Sequence, residues 1–382
     1  LWEVEYFDEI KLFAVDHPAG TQIFTNEKVG PESLAAHKIH TVTTPHVPVA
    51  ARDPQGRDIL DQVKARDGVY TKTYERKFAQ GLTNEHFLEL DLGAWRDQVG
   101  ASVPNQGDQE TKSPVVTLFL TGWMYPGSTS LRVQHSQNPD LQPPRPPALQ
   151  AVDSAGQWRE VRPFMGFPGG KTKTIAVDIS DVFAPGSTDH RLRIVTNMEF
   201  YWDAAFFTVN DQSVEIQQWE LPLATAKLVD RGGVSFHSWP ETGNGPDQFD
   251  YHNLVRGDAW PPIEGAFTRF GDIRPLLTAR DDHLVVLHPG DEMQLEFTVP
   301  SQPVREGWVR DFVIYNVGWD KDCDHHTVYG ETSEPLPFRA MTVYPFSESD
   351  VRPVDDDYAR YLETYQTRRR ARSRFWNRVS NQ

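Results

Sequence analysis

The chain has 382 residues, 38% of them hydrophobic, and its formal net charge at pH 7 is −16. A surface of this charge repels nucleic acid and anionic membranes, which excludes nucleic-acid binding as the main role. No run approaches the roughly 20 apolar residues that span a bilayer as a helix, so no membrane span is expected. The only cysteine, Cys323, excludes an internal disulfide and a zinc-finger spacing.

Short stretches of alternating apolar and polar residues recur along the chain, separated by Pro, Gly, Asn and Asp. An apolar period of two is the pattern of a strand with one face buried and the other in water. The predicted strands are Leu1–Tyr6, Ile10–Val15, Thr21–Phe24, Glu85–Leu92, Val115–Leu120, Ser130–His135, Lys173–Ile179, Arg191–Thr196, Ala204–Val209, His283–Leu287, Met293–Val299 and Val309–Tyr315.

The composition also favours an all-β fold, because 29 Pro and 26 Gly disfavour long helices. We therefore predict one or two jelly-roll-like β-sandwiches with long aromatic loops, among them residues 235–270. From Asp355 onwards the apolar period becomes helical, with Tyr358 and Tyr361 on one face. This pattern predicts a short C-terminal helix.

The predicted elements divide the chain into four segments. Residues 1–76 hold the N-terminal strands and a connecting segment, and residues 77–230 hold the main β-sandwich. Residues 231–350 form a second β region, and residues 351–382 form a helical tail. Leu1 begins without Met inside a predicted strand, so we expect the chain to continue an N-terminal part that is missing here.

Aromatic residues cluster beside an acid in the main sandwich region. Trp123 and Tyr125 follow its first strand, while Tyr201, Trp202 and Asp203 lie between its last two strands. Flat rings stack on the apolar faces of sugars, and carboxylates accept hydrogen bonds from sugar hydroxyls. These residues are the candidate ligand-binding site, and the expected partner is a glycan or a protein at the cell surface. The alternative is that the rings cap the end of the sandwich.

Acidic residues alternate soon after the last predicted strand. Asp320, Asp322 and Asp324 are spaced as in the first half of a DxDxD loop, in which carboxylates converge on one cation. Ca²⁺ is the expected ion, because it prefers hard oxygen ligands. His325 and His326 could instead recruit a transition metal. A third alternative is a solvated acidic turn whose Asp side chains bind their own backbone.

An enzymatic role has no diagnostic spacing in this sequence. A glycoside hydrolase needs two carboxyl groups that face each other across a cleft, and Glu199 and Asp203 are the candidates. No GxSxG, P-loop, GxGxxG or HExxH motif occurs, so triad hydrolase, nucleotide-binding and zincin chemistry lack support. We therefore assign no catalytic residue.

Five segments of the sequence together resemble one family. They are Val15-Asp16-His17-Pro18-Ala19, Thr25-Asn26-Glu27-Lys28, Leu118-Phe119-Leu120-Thr121-Gly122-Trp123, Met165-Gly166-Phe167-Pro168-Gly169-Gly170-Lys171-Thr172-Lys173 and Gly318-Trp319-Asp320-Lys321-Asp322. They resemble the C-terminal region of bacterial exported proteins that carry FG-GAP repeats, an integrin-like β-propeller, and an ASPIC/UnbV segment. This is the cartilage-acidic-protein-like family. The resemblance implies an extracellular or periplasmic location, association with an N-terminal β-propeller, and Ca²⁺ as an ion.

These patterns together predict a non-catalytic extracytoplasmic binding or assembly module of a larger exported protein. Such a module would contact a glycan or a protein through an aromatic and acidic surface. One alternative is a carbohydrate-active enzyme that uses Glu199 or Asp203. Another is a structural subunit of a surface complex or filament, with the proline-rich segment Asn138–Pro147 and the Arg-rich tail as its contacts.

Overall fold

The computed structural model confirms the predicted all-β fold. Antiparallel sheets dominate it, and its helices are short. Among the described residues, no helix is long and apolar enough to cross a membrane. The structure describes residues 3–31, 37–75, 81–96, 114–125, 127, 129–184, 186–211, 213–237, 248–255, 262–299, 301–323, 330–350, 352 and 354–380.

Strands occur along most of the chain. In order they are β1 (Glu3–Pro18), β2 (Gln22–Thr25), β3 (Lys28–Val29), β4 (Ile39–Val42), β5 (Ala50–Arg52), β6 (Leu82–Asp91), β7 (Val116–Met124), β8 (Ala148–Val152), β9 (Trp158–Arg162), β10 (Phe167–Pro168), β11 (Lys173–Asp178), β12 (Arg191–Met198), β13 (Phe200–Val209), β14 (Gln217–Leu221), β15 (Leu223–Asp230), β16 (Gly233–His237), β17 (Gln248–Val255), β18 (Gly265–Phe267), β19 (Gly271–Asp272), β20 (Val285–Leu287), β21 (Asp291–Phe297), β22 (Trp308–Asp322) and β23 (Arg368–Arg370). The α-helices of the described residues are α1 (Thr129–Gln137), α2 (Asp356–Tyr365) and α3 (Arg372–Ser380), and the 3-10 helices are Leu60–Gln62 and Arg274–Leu276.

The chain divides into two compact units. The split unit consists of Leu1–Ala19, Ile216–His237 and Phe249–Gln382. The inserted unit consists of Gly20–Glu215 and Ser238–Gln248. This division differs from the predicted segments, because β1 belongs to the same unit as the C-terminal part of the chain.

Two antiparallel sheets of the inserted unit pack around one core as a β-sandwich. One sheet has five strands in the order β5-β6-β12-β8-β9, and the other has three in the order β11-β7-β13. Leu88 and Leu90 of β6 pack into the core from the first sheet, and Leu118 and Leu120 of β7 pack into it from the second. In β6 the leucines alternate with side chains of the outer face, whereas β7 is buried along nearly its whole length.

The split unit is arranged around β1. β22 pairs antiparallel with β1 over its whole length, while β14 and β20 pair with two shorter parts of it. Asp8 forms a β-bulge at which the β1–β22 register shifts. Its buried carboxylate accepts hydrogen bonds from the backbone N–H groups of Asp281 and Asp282. The sequence predicted two strands here, and the bulge joins them into one.

Helix α2 packs on the core of the split unit, as its sequence period predicts. Asp355 is the N-cap, and its carboxylate accepts a hydrogen bond from the backbone N–H of Tyr358. Tyr358 and Tyr361 are buried in the core. Beyond the helix, the Gln366 amide donates to the Leu284 carbonyl and to the Tyr361 hydroxyl, which fixes the end of the helix.

Two sequence predictions about local structure need correction. The predicted strand Ser130–His135 is wrong, because helix α1 covers these residues. Its apolar alternation consists only of Leu131 and Val133, and neither is buried, so no sheet face selects the strand. Residues 235–270 were predicted as a loop, but they include part of β16 and all of β17 and β18. Trp239 and Trp260 of that segment lie outside the described residues.

Candidate functional site

The predicted aromatic site lies within two paired strands, except for Tyr125. Trp123 belongs to β7, and Tyr201 and Trp202 belong to β13. Tyr201 is the direct cross-strand partner of Trp123, while Trp202 packs into the core of the sandwich. Tyr125 follows β7 and is half-buried.

These rings do not form an exposed surface, which corrects the sequence-based expectation. Trp123, Tyr201 and Trp202 are all buried. The rings of Tyr70 and Tyr74 pack edge-on against Tyr201, with centroids 6.5 and 5.7 Å away. The aromatic residues therefore stabilise the sandwich, as aromatic pairs at this spacing do.

The two acids beside these rings are also buried and hold backbone groups in place. Asp203 lies at a β-bulge of β13 and accepts hydrogen bonds from the backbone N–H groups of Asp67 and Gly68, at 3.1 and 3.0 Å. Burial raises the pKa of Asp203, although these two bonds partly offset the effect. Glu199 accepts hydrogen bonds from the Gly81 backbone N–H and the Tyr201 hydroxyl.

The predicted acidic loop is a strand over the part that the structure describes. Asp320 and Asp322 belong to β22, so the prediction of a turning DxDxD loop is wrong for them. Asp324 lies outside the described residues. Residues two apart in a strand point to the same face, so the same spacing that suggests a loop also aligns carboxylates along a sheet.

These two aspartates meet two glutamates of β1 across the strand pair. Glu3 is opposite Asp322, and Glu5 is opposite Asp320, which defines a carboxylate ladder of these residues. Carboxylate oxygens of Glu3, Asp320 and Asp322 lie within 4.8 Å of one another. Burial raises the pKa of Glu3 to about 7, and the charges of Asp322 and Asp320 contribute to the shift.

The pKa of Glu5 is likewise raised to about 7, mainly by burial and then by the charges of Glu3 and Asp320. Like charges directly opposite each other destabilise a strand pair. Converging carboxylates are also the ligand type of Ca²⁺, which takes about six to eight oxygens. Calcium binding at Asp320, Asp322 and Asp324 therefore stays a prediction, and Glu3 is a further candidate ligand.

A different set of side chains stands out on the outer face of the five-stranded sheet. Leu88, Leu90, Leu192 and Ile194 point into the core, so the residues between them point to the opposite face. That face, which we call the Arg193 strip, consists of Phe87, Glu89, Gln150, Trp158 and Arg193.

Arg193 is held between two aromatic rings at the centre of this strip. Its guanidinium carbon lies 4.0 Å from the centroid of the Phe87 ring and 4.0 Å from that of the Trp158 ring. Its Nε donates to the Glu89 carboxylate at 2.8 Å. Both rings are half-buried. Stacking and the ion pair together fix the orientation of the guanidinium group.

Further ion pairs surround the strip. Arg191 binds Asp189 through two nitrogens, and Arg145 donates to Glu85 and Glu160 at 2.6 Å each. Each of these arginines is therefore matched by carboxylate groups. The face offers both hydrogen-bond donors and acceptors with little net charge.

The strip was not predicted from the sequence, although a signal was present. Phe87 and Glu89 alternate with the core leucines of β6, and Arg191 and Arg193 alternate with the core residues of β12. Side chains at the outward positions of a half-buried strand are expected to be solvated. Their pattern alone therefore does not indicate a binding site. The pairing of β6 with β12, and the position of Trp158 beyond β8, are not visible from spacing.

Comparison with family models, with curated proteins and with solved structures gives no match to this chain.

Proposed function

We propose that this chain is a non-catalytic binding module whose Arg193 strip binds a glycan. The observation that carries the proposal is the guanidinium of Arg193, fixed 4.0 Å from two half-buried aromatic rings on the outer face of the five-stranded sheet. Partly exposed rings supply apolar area for stacking on a pyranose ring. The fixed guanidinium and the more exposed carboxylates of Glu85 and Glu160 supply directed hydrogen bonds to sugar hydroxyls.

The charge balance of this face favours a neutral glycan over an acidic polymer. Arg193 is paired with Glu89, and Arg145 is paired with both Glu85 and Glu160. A polyanion would have to compete with these carboxylates for each guanidinium. Hydroxyl groups can instead donate to the carboxylates and accept from the arginines at once. Ordering of these side chains before binding reduces the entropic cost of association.

The proposal includes the setting that the sequence resemblance implies. The module would work outside the cytoplasm, in the extracellular space or the periplasm, as part of a larger exported protein with an N-terminal β-propeller. A glycan of a cell surface is the ligand class that fits this setting.

The enzymatic alternative is less favoured by the observed geometry. Glu199 and Asp203 are both buried, and both accept hydrogen bonds from backbone N–H groups. Glycoside hydrolysis needs carboxyl groups that reach a substrate in a cleft. The two acids instead support the strands that carry them.

Affinity electrophoresis in native gels that contain xylan, mixed-linkage β-glucan or galactomannan tests the proposal. We expect at least one polysaccharide to retard the chain, and Trp158→Ala to weaken the retardation roughly tenfold or more. Trp376→Ala, which removes an exposed indole from helix α3, is the matched control and should leave it unchanged. Retardation that is equal in Trp158→Ala, or absent with every polysaccharide, would contradict glycan binding by the strip.

A further inference from the structure

β22 is a long strand at the edge of its sheet. Within the described residues its strand partner is β1, which it follows from Trp308 to Asp322. Near its middle, the side chains of Phe312 and Ile314 are 53% and 59% exposed. An edge of this kind presents backbone N–H and C=O groups beside exposed apolar side chains.

Such edges are normally protected against pairing with another chain. Protection comes from short strands, proline, bulges or charged side chains on the edge, lysine above all. β22 is 15 residues long and contains no proline, and its charged residues lie near its two ends, at Arg310, Asp311, Asp320, Lys321 and Asp322. The bulge at Asp8 lies on β1 and not on β22. The middle of β22 therefore lacks these protective features.

We infer that two copies of this chain associate by antiparallel pairing of β22 with β22, about a twofold axis at Tyr315. This register overlaps the strand over its full length. It places Arg310 of each copy opposite Asp320 of the other, Phe312 opposite Gly318, and Val313 opposite Val317. The strand thus matches its own reverse in charge at Arg310 and Asp320, and in shape at Phe312 and Gly318.

The charge match involves groups that the structure already orients. Nε and Nη2 of Arg310 donate to the buried carboxylate of Asp16, and Nη1 carries further N–H donors for a second acceptor. Asp320 belongs to the carboxylate ladder, so an arginine from the second copy would reduce the repulsion among those acids. An aromatic side chain opposite an edge glycine covers the exposed backbone, as Phe312 would cover Gly318.

A neighbouring register is less favourable. Pairing centred on Val313 would overlap only residues 308–318 of each strand, and it would bring Asp320 and Lys321 near Glu306 and Arg305 of the turn before β22. Like charges directly opposite each other destabilise a strand pair, whereas the register about Tyr315 opposes no like charges. Twofold pairing is closed, so it gives a dimer and not a filament.

Sedimentation equilibrium of the chain over a wide concentration range, in EDTA so that no cation competes for Asp320, tests the inference. The expected mass rises with concentration to twice the 43.5 kDa of the chain. Ile314→Lys and, separately, Phe312→Lys should weaken the dimer roughly thirtyfold or more. Val354→Lys places the same charge at an exposed apolar position outside β22 and should leave the dimer intact. A monomer at all concentrations, or a dimer that survives both lysine variants, would overturn the inference.

Disulfide crosslinking tests the register, in a Cys323→Ser background. Opposite residues of an antiparallel pair have Cβ atoms about 4.5–5.5 Å apart. Tyr315→Cys should therefore crosslink to its own copy. Val313→Cys and Val317→Cys should each fail alone, since each lies ~13 Å along the strand from its own copy, and should crosslink when mixed. Crosslinking of Val313→Cys alone would rule out the proposed axis.

Discussion

Arg368 and Asp291 form a buried ion pair in the split unit, with Nη1 of the arginine 2.9 Å from Oδ1 of the aspartate. The two side chains are only 16% and 2% exposed. The same arginine donates through Nε to the Thr268 carbonyl. Strand β23 is thus joined to the first residue of β21 and to the residue after β18 through one guanidinium group.

Replacement of Arg368 by methionine should lower the free energy of unfolding by about 3–5 kcal/mol, because it leaves the buried Asp291 carboxylate without its cation. Arg369 is the matched control. Its side chain is 69% exposed and lies 3.2 Å from Glu334 at the surface, so Arg369→Met should cost about 1 kcal/mol or less. Urea denaturation of both variants measures the difference. Equal losses of unfolding free energy in the two variants would contradict a larger contribution from the buried Arg368–Asp291 pair.

His86 should make the stability of the chain depend on pH in a defined window. It is buried, and its ring nitrogens contact the Thr73 hydroxyl and the Met198 carbonyl. Burial lowers the pKa of His86 from 6.5 to about 4, although the bond to Met198 opposes the shift. The unfolded chain therefore binds a proton at a pH where the folded chain does not.

Because the pKa of His86 is depressed in the folded chain, its contribution is fully present above pH 6.5 and is lost as the pH falls towards 4. The expected loss is about 3 kcal/mol across this window. Urea denaturation of wild type and His86→Gln between pH 4 and 8 measures it. The wild type should show the steeper slope, and parallel slopes would contradict this role of His86.

Glu3→Gln tests whether the carboxylate ladder destabilises the strand pair and whether it binds calcium. In EDTA the variant should melt at a higher temperature than the wild type, because it removes a like charge worth about 0.2–1 kcal/mol. If calcium binds as predicted, saturating CaCl₂ should stabilise the wild type by about 3 kcal/mol at a hundredfold excess over Kd, and the variant much less. Glu306→Gln, an exposed charge change outside the ladder, should behave as the wild type. An equal calcium response in all three proteins would exclude the ladder as a cation site.

Gly318→Ala should disrupt the pairing of β1 with β22 near the Asp8 bulge. A Cβ atom at Gly318 would lie 2.0 Å from the Tyr6 carbonyl oxygen, which belongs to the backbone and cannot rotate away. We expect a loss of about 2 kcal/mol or more in unfolding free energy. Gly233→Ala is the control, since its nearest atom would lie at an ordinary 3.4 Å. A thermal melt in which both variants match the wild type would contradict the close approach.

Local patterns predicted strands best where one face is buried in a core. Ile175 and Val177 pack into the core, and β11 lies where the sequence places it. The cap Asp355 and the buried face of Tyr358 and Tyr361 likewise predicted helix α2. These features depend on residues within a few positions of one another, so they can be recognised from a single sequence.

The candidate sites could not be predicted in the same way. Glu3 and Asp322 face each other because β1 pairs with β22, and Arg193 meets Trp158 because strands of one sheet align in a particular register. Such pairings join residues that are far apart in the sequence and depend on packing. The local spacing of residue types does not predict them. The residue type of Trp202 suggested that its ring stacks on a ligand. Trp202 is instead buried in the core of the sandwich, which it stabilises.

The pairing of β1 with β22 also has a consequence for biosynthesis. All of residues 19–307 lie between these strands, so β1 leaves the ribosome long before its longest partner exists. At about 5–20 residues per second, the wait is roughly 15–60 s. The inserted sandwich can complete its sheets from residues 20–215 in that interval, while β1 remains without its longest partner. Binding of nascent β1 by a chaperone is the expected result, and site-specific crosslinking from Val4 in stalled nascent chains would detect it.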